Sequence, residues 1–126
     1  MEPLKKRRPA LKVAEFPSNV VNLIDMRTDK PPFSDVRVRQ AVSLAIDRKG
    51  MIDATLEGIG AVNGPLPAGL SDWALPIVEL GEGARYYRYD PTEAKRLLAA
   101  AGHPNGLAAS VCFATYGSTM LVDTMQ

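Results

Sequence analysis

The side chains that most often carry chemistry are sparse in this chain, and their spacing decides how each one reads. The single histidine, His103, follows Gly102 and precedes Pro104. That is the setting of a turn, with no second histidine or acidic pair at metal-ligand spacing. The single cysteine, Cys112, alternates with apolar neighbours in a strand-like run and reads as a small core hydrophobe. A nucleophilic cysteine needs a paired base, and His103 lies nine positions upstream without a recognisable context. Ser34, Ser43, Ser71 and Ser118 lack the setting of a nucleophile elbow. The acidic residues make no paired constellation, and helix caps explain two of them. No acid, base, nucleophile or metal cluster assembles, so an enzyme, a cofactor and a metal are all unexpected.

Binding chemistry has somewhat more material. Gly58-Ile59-Gly60-Ala61-Val62-Asn63-Gly64 has the glycines of a dinucleotide loop, yet it follows a helical pattern rather than a strand. Lys5, Lys6, Arg7 and Arg8, with Arg37, Arg39 and Arg48, could touch phosphates. A net charge of +1 and the lack of a recognition motif make them a solvated surface and a tail instead. Trp73 stands in a stretch rich in proline and glycine, where a tryptophan either anchors the loop or lines a ligand cleft. Trp73 and Asn63, from the same stretch, are the candidate ligand contacts.

The elements that must position these residues follow from composition and periodicity. A chain of 126 residues fits one domain and buries roughly two thirds of its unfolded surface on folding. Hydrophobic content of 46% and charged content of 23% are ordinary for a globular protein. No apolar run approaches the ~20 residues that span a bilayer. Residues 1–10 form a basic tail with no apolar stretch behind it, so they do not read as a secretory signal.

Residues 11–16 and Val20–Met26 read as short strands, and Leu107–Thr115 as another. Ser34 or Asp35 caps a helix whose Val38, Ala41, Val42, Ala45 and Ile46 share one stripe. Asp47 offers a second cap, so that Met51, Ile52 and Leu56 continue on a re-aimed helix stopped at Gly58 and Gly60. Residues 60–86 form a long excursion punctuated by glycine and proline, with enough apolar members to pack onto something. Asp90, Pro91 and Glu93 then predict N-cap, first-turn proline and capping box for a helix burying Ala94, Leu97, Leu98 and Ala101 and closed by Gly102. Thr119 to Gln126 begins another helix that ends with the chain.

The order of residues in two of these elements is specific. Pro32-Phe33, Asp35, Val38-Arg39-Gln40-Ala41 and Ala45-Ile46-Asp47-Arg48 form one run, and Tyr89-Asp90-Pro91 through Pro104-Asn105-Gly106 a second. Both runs resemble the extracellular solute-binding family 5 of ABC importers, the peptide- and nickel-type periplasmic binding proteins. Arg27 stands where that family usually has an asparagine.

The resemblance implies an α/β fold, with residues 11–126 a partial lobe of a type II periplasmic-binding-protein-like structure, a mixed sheet with flanking helices. It further implies a fragment of the solute-binding component of an importer for peptides or related small solutes, not ligand-competent alone. The implied partners are a small-molecule or peptide ligand, bound only by the full-length protein, and an ABC permease. Nucleic acid is not among them, and self-association of the fragment is expected from its missing partner elements. The implied location of the full-length protein is periplasmic or extracytoplasmic. The readings that compete are a stand-alone interaction or oligomerisation domain and a weak nucleic-acid-binding module using the basic residues.

Overall fold

The computed structural model describes residues 19–110, together with residues 6, 7, 10, 12, 14 and 16. Helix α1 spans Val36–Ala45 because Asp35, in extended conformation, turns its carboxylate onto the Arg37 N–H at 2.8 Å. The helix stops where Ile46 becomes extended, and Asp47 starts helix α2, Arg48–Thr55, by accepting the Gly50 N–H at 2.9 Å. A β-carbon at Gly50 would lie 2.7 Å from that carboxylate, so the glycine leaves the cap its room. Leu56 follows as the C-cap, and Glu57 and Gly58 both take positive φ.

The stretch from residue 59 to residue 76 carries no helix or strand. It ends in two 3₁₀ segments, Ile77–Glu79 and Gly81–Tyr87, within an excursion whose glycines and prolines predict little regular structure. Helix α3, Pro91–Ala100, begins at Asp90, whose carboxylate accepts the Glu93 N–H at 2.9 Å. Only half of the expected capping box forms. The Glu93 carboxylate takes two hydrogen bonds from Arg96 at 2.7 Å, and the Asp90 N–H instead donates to the Leu44 carbonyl at 2.8 Å. At the other end Gly102, at φ +91, lets the His103 N–H reach Leu98 O and its own N–H reach Ala99 O, a double hydrogen-bonded stop.

Helices α1 and α3 run antiparallel. The α1 C-terminal carbonyl of Leu44 meets the α3 N-cap, and Arg37 near the α1 start donates to the Ala100 carbonyl at the α3 end, at 2.6 Å. Between them Ala41, Leu44 and Ala94 are buried, with Tyr86, Leu97 and Leu98 packed against them and Val38 buried alongside. Leu44 replaces Ala45 on the predicted stripe, and Ala45 is exposed. Helix α1 ends at Ala45, so the facing segment covers the side chains at i, i+3 and i+6 from Val38 and nothing covers the next one.

No β-strand occurs among the described residues. Val20–Met26 is irregular, with Leu23 64% exposed, and Ala14, Phe16 and Leu107–Ser110 are not strands either. β-propensity is expressed only against a neighbouring strand, and none lies beside these segments among the described residues. The expected strand residues Leu11 and Val13, residues 111–115 of the last strand, Cys112 and the helix from Thr119 lie outside the described residues.

Candidate ligand-binding site

The excursion between α2 and α3 is held at its downstream foot by a cluster of polar contacts. The last carbonyls of a helix have no intrahelical donor. The Ser43 carbonyl accepts from Arg48 Nη1 at 2.8 Å. Ser43 Oγ accepts from Arg48 Nη2 at 2.7 Å and donates to the Tyr86 carbonyl at 2.7 Å. Arg48 also reaches the Tyr87 carbonyl at 3.4 Å and stands 5.3 Å from the centroid of the Tyr87 ring. Burial lowers the Arg48 guanidinium from its ordinary value against an opposing effect of Tyr87, and the group stays charged.

Beyond this foot the excursion borders a half-open hollow of about 270 Å³. Its wall is largely apolar, from Val62, Leu66, Ala74, Leu75 and Ile77, and Asn63 and Ser71 supply the polar side chains. Backbone hydrogen bonds shape it: Leu70 N–H donates to Pro67 O, and both the Trp73 and Ala74 N–H groups to Leu70 O. Asn63 Oδ1 accepts the Ala68 N–H at 3.0 Å and so ties the two ends of one wall. A β-carbon at Gly64 would stand 3.2 Å from the Leu75 carbonyl, a spacing that keeps the chain segments in close approach.

Of the two candidate contacts, Asn63 lines this hollow and Trp73 does not. Trp73 sits in the adjoining turn with 77% of its surface exposed. Leu70 and Val78 likewise do not line the hollow and are exposed, Val78 to 85%, while Leu66 and Leu75 line it and are partly open to solvent. His103 occupies its expected turn and borders a second hollow of about 370 Å³ with Lys95, Leu98 and Pro104–Gly106. Among the described residues no group of three or more His, Cys, Asp or Glu side chains is placed to hold a metal ion.

The signature arginines do work that spacing could not announce. Arg37 pairs with Asp35 at 2.6 Å and grips the end of α3. Arg39 Nη1 donates to the Phe33 carbonyl at 2.7 Å and the Ser34 carbonyl at 3.2 Å. Arg48 secures the excursion, as above. Each guanidinium donates to at least one backbone carbonyl, which fork-shaped donors serve well, and a carbonyl leaves no mark in a sequence.

The chain matches the family described as bacterial extracellular solute-binding proteins, family 5 Middle, over residues 1–126. It is 38% identical over 102 residues to heme-binding protein A of Haemophilus influenzae, covering 80% of this chain and 17% of that protein. It is 33% identical over 95 residues to a probable di/tripeptide-binding protein 5 of Pseudomonas aeruginosa, covering 75% and 17%. With the glutathione-binding protein GsiB of Escherichia coli the identity is 26% over 109 residues, covering 86% and 20%. The chain thus spans about a fifth of the length of these relatives. No solved structure matches it. With the family match running the full length of the chain and both signature runs built into its helical pair, the chain belongs to the family 5 bacterial extracellular solute-binding proteins.

Proposed function

We propose that this chain is part of the solute-binding component of an ABC importer for peptides or related small solutes, located outside the cytoplasmic membrane. The family match over the whole chain carries this reading, and the names of the relatives supply the solute classes. Residues 11–126 then form part of one lobe of an α/β, type II binding-protein fold, with residues 1–10 as a basic tail and residues 60–86 as a loop. The segments with strand-like sequence join a mixed sheet completed by the remainder of the protein. Asn63 and Trp73 are its ligand contacts, a reading supported by their position on one excursion and by the exposed Trp73 ring. A permease is the protein partner.

A cleft receptor binds because two faces contribute groups and closure expels water, and one face supplies a fraction of the contacts. This polypeptide by itself is therefore expected to give no micromolar heat signal in calorimetry with a library of dipeptides and tripeptides. Micromolar binding would overturn the view that it is one face of a larger site. The importer reading is tested by sequencing the DNA that flanks the reading frame. Permease and ATPase genes beside it are the expected result, and their absence together with heparin retention that falls steeply with salt would favour a nucleic-acid-binding module.

The exposed Phe16, Leu23, Trp73, Leu75 and Val78 favour a second reading, self-association of the chain as an interaction or oligomerisation domain. The two readings are compatible, because exposed apolar surface can be covered by another copy of the chain.

A further inference from the structure

We infer that the hollow inside the excursion is a side-chain cup: it receives one aliphatic side chain of a peptide ligand, while Asn63 Nδ2 donates to a carbonyl of that peptide's backbone. The inference rests on the peptide-importer reading and adds which part of the ligand goes where. Three observations carry it.

Size comes first. At about 270 Å³ the hollow falls just below the ~300–1,000 Å³ of whole-ligand sites, so it holds part of a ligand. A porphyrin does not fit, and no lining residue offers an imidazole, thiolate, thioether or phenolate to an iron. The wall comes second. Val62, Leu66, Ala74, Leu75 and Ile77 present hydrocarbon, and no charged side chain lines the hollow, so a carboxylate or ammonium would lose its water without a counter-charge. Third, the one amide is oriented. Asn63 must accept the Ala68 N–H, which fixes Oδ1 and leaves Nδ2 as a donor for an occupant. An apolar wall with one donor is complementary to a side chain flanked by a peptide carbonyl. The turn hydrogen bonds from Trp73 and Ala74 to Leu70 hold the cup in shape before any ligand arrives.

The test is amide chemical-shift mapping of the full 126-residue chain titrated to about 10 mM with Gly-Leu-Gly, Gly-Glu-Gly and Gly-Gly-Gly, and separately with hemin. Gly-Leu-Gly should shift the amides of Asn63, Ala68, Ala74 and Ile77 with millimolar affinity, and the other two peptides should not. Ala74→Leu fills the cup and should abolish those shifts with the remaining spectrum intact. Asn63→Ala should weaken binding about fivefold, the loss of one hydrogen bond. If Asn63→Ala disorders the wall, Ala74→Leu still decides the matter. Gly-Leu-Gly shifts confined to residues outside the hollow would overturn the cup and leave the peptide reading standing. Equal response to all three peptides, or persistence of the shifts in Ala74→Leu, would also overturn the cup. Tight hemin binding with no peptide response anywhere would overturn both.

Discussion

Asp35 joins two jobs in one carboxylate. It caps α1 through the Arg37 N–H and holds the Arg37 guanidinium that grips the end of α3. Those hydrogen bonds, the side-chain one foremost, lower its pKa from 3.8 to about 2. A depressed carboxylate stabilises the fold above its unfolded pKa, and that contribution fades as pH falls through the folded value. Helicity followed by circular dichroism should hold from about pH 7 to about pH 4 and decline toward about pH 2. Glu93, lowered by Arg96, and Asp29, lowered by Arg27, contribute in the same direction. Asp35→Asn should be less helical at neutral pH and lose less of its helicity across the acid window. Parallel curves for the two proteins would remove Asp35 from the account. At this scale the caps were legible from sequence, since a carboxylate reaches the N–H groups just after it. The fate of Glu93 was not, because a distant carbonyl, that of Leu44, claimed the N–H it was expected to bind.

Between elements, the Ser43–Arg48 contacts tie the end of α1 to the Tyr86–Tyr87 segment and hence fix where the excursion returns to the helical pair. Ser43→Ala removes the hydrogen bond to the Tyr86 carbonyl and the one accepted from Arg48 Nη2, and should lower stability by about 1–2 kcal/mol in chemical denaturation. Arg48→Lys keeps the charge and loses the fork, so it should cost more than Ser43→Ala. It should also expose amides 62–77 to hydrogen exchange before those of α1 and α3. Loss of protection in all of these at once would show that the contacts merely share in global stability. The helices themselves were readable from periodicity and caps. Of the expected stripes, however, only Val38, Ala41 and Ala94 are buried, Leu44 takes the place of Ala45, and Val42, Ile46, Leu97, Leu98 and Ala101 are half-buried. Their antiparallel pairing and the arginine contacts that fasten them were not, for both depend on backbone atoms far away in the chain.

For the whole molecule, the described residues bury fully only Val38, Ala41, Leu44 and Ala94, while large apolar side chains from Phe16 to Tyr89 remain exposed. That is a small core for the described residues, and exposed apolar surface is covered by whatever protein is available. Multi-angle light scattering should show mass rising above that of a 13.6 kDa monomer as concentration increases, and Trp73→Ser with Val78→Ser should reduce the rise. A monomer at every concentration would argue against self-association. The chain covers about a fifth of its relatives, and the strand-like segments have no sheet among the described residues. A sheet is a property of several segments together, whereas a helix closes its hydrogen bonds within itself.

That difference divides what could be known in advance. The sequence alone determined the family, the caps at Asp47 and Asp90, the helical runs and the excursion between them, because each is written in neighbouring residues or in an ordered motif. The choice of Asp35 over Ser34 as the first cap came from the structure. Tertiary structure decided that Asn63 lines a hollow while Trp73 stands outside it, that the signature arginines bind carbonyls, and that Asp90 completes α1 rather than a capping box. Each of those outcomes depends on atoms brought together across dozens of residues, and pairings of that kind are set by packing.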